Sequence, residues 1–149
     1  MKKLMIAILM MPIFVSAGFT TGYSVLDLDM GDGDSISIGA LNAAYTWGGE
    51  DSPFSTQAGV LIGVQDDKWE GVTLELDPSF FIKGMYNLNE NVFISATWTK
   101  FEAEASAGSI SESASDSEMG LGIGFNAGKF RFIFDHVDDT DIFSIQYNF

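Results

Sequence analysis

From Gly18 onward apolar and polar residues alternate over short runs, and clusters of Gly, Asn, Asp and Ser interrupt the alternation. Successive side chains of a strand point to opposite faces, so a period of two predicts strands. The runs fall at 18–29, 35–48, 54–66, 70–87, 91–103, 117–126, 129–137 and 141–149. In the last run Phe143, Ile145, Tyr147 and Phe149 share one face and Ser144, Gln146 and Asn148 the other. In the seventh, Phe130, Phe132 and Phe134 oppose Arg131, Ile133 and Asp135. In the sixth, Met119, Leu121, Ile123 and Phe125 oppose Gly120, Gly122 and Gly124. In the fourth, Val72, Leu74, Leu76, Phe80, Ile82 and Tyr86 oppose Thr73, Glu75, Asp77, Ser79 and Lys83. The second run changes phase, from Ile36, Ile38 and Ala40 to Leu41, Ala43, Tyr45 and Trp47, which predicts a β-bulge near Ala40. A similar slip is expected near Val25-Leu26, and Pro78 removes a ladder donor from the fourth run.

Alternation alone fits a soluble sandwich as well as a membrane barrel, and the aromatic residues separate the two. With the strands running up and down from a periplasmic N-terminus, every strand places an aromatic residue at the same end. These are Phe19, Tyr45, Trp47, Phe54, Tyr86, Phe93, Phe125, Phe130, Tyr147 and Phe149. A ring of aromatic side chains at a membrane interface accounts for this, and a soluble β protein has no need of it. Trp69, Trp98, Phe101 and Phe143 are candidates for a sparser girdle at the opposite end. The connections sort the same way. Those after even-numbered strands are short, at Gly49 to Pro53, Leu88 to Glu90 and Ala127-Gly128. Those after odd-numbered strands are acidic, and the longest, Glu104 to Asp116, reads as a mobile low-complexity loop. The expected fold is all-β: an eight-stranded antiparallel up-and-down transmembrane β-barrel.

The N-terminus supports a route to that location. Lys2 and Lys3 precede an apolar stretch from Leu4 to Val15, and Ser16-Ala17 follow. This is the layout of a secretory signal peptide, with cleavage expected before Gly18 and a barrel domain at 18–149. The stretch is too short for a comfortable membrane helix. Loss of Lys2 and Lys3 leaves 7 − 2 = 5 basic residues against 21 acidic ones and moves the net charge from −14 to −16. Such a surface excludes nucleic acid as a partner. The absence of cysteine excludes a lipoprotein anchor and disulfides.

The hairpin Gly84-Met85-Tyr86-Asn87-Leu88-Asn89-Glu90-Asn91-Val92-Phe93 resembles the recurring unit of the OmpA/OmpX-like family of small outer-membrane β-barrels, generically the porin family. The closing Phe143-Ser144-Ile145-Gln146-Tyr147-Asn148-Phe149 is similar to that family's C-terminal targeting strand. The resemblance implies a Gram-negative outer-membrane location among lipid and lipopolysaccharide. It implies recognition of Phe143, Ile145, Tyr147 and Phe149 by the barrel-assembly machinery, and no shared catalytic site or cofactor. A monomer is expected.

Candidate chemistry is sparse. An eight-stranded barrel is just wide enough for side chains to fill it. Glu75, Asp77, Lys83, Arg131 and Asp135 are expected to form a structural charge network in the lumen, the alternative being a narrow conduit for ions or for small or hydrophobic solutes. A soluble lipocalin-like carrier is a further alternative. The one histidine, His136, lacks the His-x-Ser spacing of lipid-deacylating barrels, and Ser144 is expected inside, so no enzyme is predicted. Asp27, Asp29, Asp32 and Asp34 crowd one loop, and Asp135, Asp138, Asp139 and Asp141 another, without EF-hand order. Solvated acidic loops are expected, with divalent cations bridging them to lipopolysaccharide phosphates as a hypothesis drawn from charge. The function expected from sequence is a non-enzymatic envelope or surface-contact role through these loops.

Overall fold

The computed structural model describes residues 18–30, 34–48 and 52–149. The expected signal peptide, the Gly31–Gly33 segment with Asp32, the Gly49–Asp51 segment and the Trp69 side chain lie outside the described residues. The strands are β1 Phe19–Asp29, β2 Ser35–Gly48, β3 Phe54–Gln65, β4 Asp67–Trp69, β5 Val72–Asn87, β6 Val92–Ala107, β7 Ile110–Ala127, β8 Phe130–Val137 and β9 Thr140–Asn148. Every pairing is antiparallel and joins neighbours in sequence, except that β3 pairs with β5 past the short β4 and β1 pairs with β9, which together close the sheet. The short β4 continues the wall of β3 against the upper part of β5, so the nine segments form an eight-stranded up-and-down barrel.

Local chemistry sets the turns. Asn89 Oδ1 accepts hydrogen bonds from the backbone N–H groups of Asn91 and Val92, both at 2.9 Å, and thereby closes the β5–β6 hairpin. Gly128, at φ 62°, turns β7 into β8. The expected mobile loop between β6 and β7 is a hairpin instead. Its ladder runs unbroken to Ala107↔Ile110, with only Gly108 and Ser109 in the turn. Its serines and glutamates are no obstacle to a strand exposed to water on both faces.

The bulge expected near Ala40 is displaced. Register shifts opposite Gly39/Ala40, but the extra residue is Val64 on β3. β2 keeps one phase, with Ile36, Ile38, Ala40, Asn42 and Ala44 all buried inside. β1 does not slip either: its register with β2 is continuous and Ser24 and Leu26 both face inward. What changes along these strands is which face is apolar. In the lower barrel Tyr23, Leu41 and Tyr45 face outward and Ser24 and Asn42 inward. In the upper barrel Asp27 and Ser37 face outward, and Leu26, Ile36 and Ile38 fill the interior.

The same exchange occurs around the circumference. Outward Trp98 gives way to Lys100, Phe134 to His136 and Phe143 to Asp141, while inward Phe101, Val137 and Ile142 join an apolar plug. On β5 the change coincides with a true bulge between Asp77 and Phe80, at Pro78. Below the bulge odd-numbered residues point inward, and above it Leu74 and Leu76 do.

Candidate functional site

The barrel encloses three layers: the apolar plug above, a polar layer in the middle, and a small apolar cluster of Met85, Phe93 and Ile133 below. In the polar layer Lys83 Nζ donates to Asp135 Oδ2, and both side chains are almost fully buried, at 4% and 3% exposure. Ser95 and Thr97 donate to the other carboxylate oxygen at 3.1 and 3.2 Å, so Asp135 is held from three sides. Beside it Asn42 Nδ2 donates to Ser24 Oγ at 2.8 Å, and Ser24 and Ser144 share a hydrogen bond of 2.7 Å. Gln57 Nε2 lies 3.0 Å from Gln146 Oε1 and spans two further strands to reach Thr20 and Thr46. Buried polar groups are paired in this way because each one left bare costs free energy.

Of the five residues expected in a lumenal charge network, the structure pairs Lys83 with Asp135. Glu75 and Asp77 are not in that layer. The Pro78 bulge shifts the phase of β5, so they flank inward Leu76 on the outer face, register partners of Glu104 and Glu102. Arg131 lies inside but lower. Its Nε donates to Asn126 Oδ1 at 3.0 Å, its Nη1 is 3.9 Å from Met85 Sδ, and its guanidinium lies over the Phe93 ring at 5.4 Å.

The expected girdle also needs one correction. Phe93 is 1% exposed and points inward. It fits because β7 presents Gly124 beneath it; a Cβ there would penetrate the ring. Sequence alternation on β7 showed the glycine face, but not that a ring from the neighbouring strand occupied it. The other girdle residues lie on the outer face at the end that holds the termini. Phe130 meets Tyr147 edge to face with ring centroids 5.5 Å apart, as Tyr147 meets Phe149 at 5.1 Å, and Phe54 and Tyr86 at 4.8 Å and Phe149 and Phe19 at 5.6 Å pack as tilted pairs. Tyr45, Trp47 and Phe125 are exposed there. In the opposite girdle Trp98 and Phe143 face outward, and Phe101 packs inward against the plug.

The centre of the barrel is filled. The void beside Lys83 and Asp135 is about 20 Å³, roughly room for one water. At this level the interior is narrower than an open conduit or a carrier's pocket would need. Each end widens into a mouth. The lower one, about 580 Å³, is lined by Thr46, Ser55, Asn87, Asn126 and Arg131 among others. The upper one, about 450 Å³, gathers the two acidic loops: Asp27, Asp29 and Asp34 face His136, Asp138, Asp139 and Asp141. Asp135, expected with the second group, is inside the barrel.

His136 points outward and pairs with Asp141 at 2.7 Å, whereas Ser144 is buried inside on Ser24, so the two lie on opposite faces of the sheet. Among the described residues no group of three or more acidic or histidine side chains is arranged to hold a metal. Glu118 lies at the foot of the hairpin, one residue beyond the apolar outer face that ends at Met119. Burial raises its carboxyl above the usual range, and Asp138, Asp116 and Asp139 raise it further.

These features define a closed eight-stranded up-and-down β-barrel with a greasy outer wall and a filled polar centre. In fold it is similar to two small outer-membrane barrels of eight strands. One is Ail, the attachment invasion locus protein of Yersinia pestis: TM-score 0.56 and 15% identity over 89% of this chain and 97% of that one. The other is Neisserial surface protein A, with TM-score 0.54 and 11% identity over 88% of this chain and 96% of that one. Ail in complex with the heparin analogue sucrose octasulfate gives a TM-score of 0.55. No family model and no curated protein sequence matches the chain.

Proposed function

We propose that this chain is a non-enzymatic integral protein of a Gram-negative outer membrane, exported by a signal peptide at residues 1–17. Its proposed role is structural support of the envelope or surface contact through an acidic outer rim. The observation that supports this reading best is the exchange of polarity along the strands. Below the level of Trp98, Phe134 and Phe143 the outer wall is aromatic and aliphatic, with Leu121 73% and Ile123 53% exposed. Above it the outer wall is charged and the interior apolar. A protein in water throughout would keep its apolar residues inside along its whole length, whereas a barrel that emerges from lipid into water reverses its faces at the boundary.

The acidic rim selects among partners. Ail was crystallised with a sulfated ligand; a bowl lined by Asp27, Asp29, Asp34, Asp138, Asp139 and Asp141 repels such a polyanion. We read its partner as a cationic surface, or as lipopolysaccharide phosphate reached through loosely held divalent cations. The outward row Phe143, Ile145, Tyr147 and Phe149 on β9 is the segment we assign to the barrel-assembly machinery. The test is gel mobility of the outer-membrane fraction, boiled and unboiled. A faster unboiled band supports a closed barrel in the membrane. A soluble periplasmic protein without that shift would refute it.

A further inference from the structure

The lower mouth is blind. It opens at the end that holds Gly18 and Phe149, and the Met85–Phe93–Ile133 cluster and the Lys83–Asp135 pair stand above it. Its wall is mostly neutral hydrogen-bonding groups, with Glu90 at the rim. Arg131 does not match this setting. Among the described residues the groups that touch it are the Asn126 carbonyl, the Met85 sulfur and the Phe93 ring, all uncharged. Asp135, the acid four residues along the same strand, is taken by Lys83. Among the described residues the lumen therefore holds one cation more than its one ion pair uses. The guanidinium keeps hydrogens on Nη1 and Nη2 beside an open cavity, in a chain whose net charge is −14.

We infer that this cup binds an oxyanion, a phosphate or carboxylate group, on Arg131. A guanidinium presents a planar fork that matches two oxygens of such a group. Arg131 is already held by Asn126 and Phe93, so little ordering is lost on binding. Asn87 and Asn126 add amide groups to the wall, and a volume of about 580 Å³ is within the range of small-molecule sites. That the cup faces the periplasm rests on the membrane reading above. The oxyanion is then either a soluble periplasmic phosphate or carboxylate, or the phosphate of an inner-leaflet lipid headgroup.

The test uses the full mature barrel, refolded in a non-ionic maltoside detergent so that no detergent phosphate competes. Its amide and Arg Nε signals are followed by NMR during titration with glycerol phosphate, acetate or dihexanoyl phosphatidylglycerol. Saturable shifts at Arg131, Asn126 and Asn87 are expected. Saturation by glycerol phosphate or acetate identifies a solute site, and saturation by the lipid alone identifies a headgroup site. Arg131→Gln should weaken binding roughly tenfold or more, the effect of losing charge-assisted hydrogen bonds. Asn126→Asp should do the same while keeping the fold, by giving Arg131 an internal carboxylate, and it decides the matter where Arg131→Gln does not fold. No saturable shift, or equal shifts in wild type and both variants, overturns the site. The same samples are run unboiled on a gel. A compact band without binding removes the anion site and leaves the barrel standing, whereas loss of the compact band removes the barrel and the site together.

Discussion

Lys83 on β5 and Asp135 on β8 meet across the barrel as a buried ion pair, although neither is a neighbour of the other in the sheet. The contact ties opposite walls together at the height where the void beside it is no larger than a water. Breaking such a pair leaves one charge buried without compensation. Lys83→Met should therefore destabilise the folded barrel by about 3–5 kcal/mol. Adding Asp135→Asn should recover most of that loss, because Ser95 and Thr97 can still donate to the amide oxygen. Urea unfolding followed on gels by the folded-band fraction checks both variants. A double variant as unstable as the single one would show that the pair is not the cause.

Phe93 and Gly124 test the packing below that pair. A methyl group on Gly124 has no room while the Phe93 ring stands over it. Gly124→Ala should cost about 1–3 kcal/mol by overpacking, and Phe93→Leu in the same chain should relieve part of the cost. Equal unfolding midpoints for wild type and Gly124→Ala would mean that the ring moves aside freely.

That pair also shows how far the sequence could be read. Strand count, antiparallel order and the outward aromatic end were legible, because alternation and turn residues are local signals. The interior was legible only where its polarity differed from that of the outer wall, as at Lys83 and Asp135. Alternation separates two faces without saying which one is inside. At Ile36 and Ile38 the apolar face turns inward with no irregularity in β2, as the proposed passage from lipid into water requires. On β5 the same reversal coincides with the Pro78 bulge, so two changes of phase cancel. Leu74, Leu76, Phe80 and Ile82 then read as one face, which placed Glu75 and Asp77 in the lumen. Phe93 was misplaced for a related reason: an aromatic at a strand end fits a girdle and a core equally well until its partner glycine is known.

The reversal of faces predicts two opposite responses to one kind of substitution. Ile123 faces outward within the apolar wall, paired in register with Ile94 and Phe134. Ser113 faces outward on the hairpin above it, opposite Glu104. Ile123→Arg should cost about 2–4 kcal/mol in a lipid bilayer, the range for a basic residue on the lipid face near the midplane. Ser113→Arg should be nearly neutral or slightly favourable beside Glu104. Folding yields into liposomes distinguish the two. A large penalty at Ser113, or none at Ile123, would place the membrane boundary elsewhere.

Glu118 gives the pH dependence. Its folded carboxyl is raised above the ordinary value, first by burial and then by Asp138, Asp116 and Asp139, so the folded state holds this proton more tightly than the unfolded chain does. Stability then falls as pH rises from the ordinary value near 4.5 through the raised one, and it stays lower above that window. The uncharged form is also the one that suits Oε2, which is buried without a hydrogen-bond partner among the described residues. Glu118→Gln removes the titration and keeps the shape. The variant should match wild type at the acid end of the window and exceed it at neutral pH. Unfolding midpoints of both proteins between pH 4 and pH 8 read the difference directly, and the other carboxylates cancel in the comparison. A gap that closed as pH rose would reverse the sign and show that Glu118 is stabilised in its charged form, which would require a cation at the foot of the hairpin.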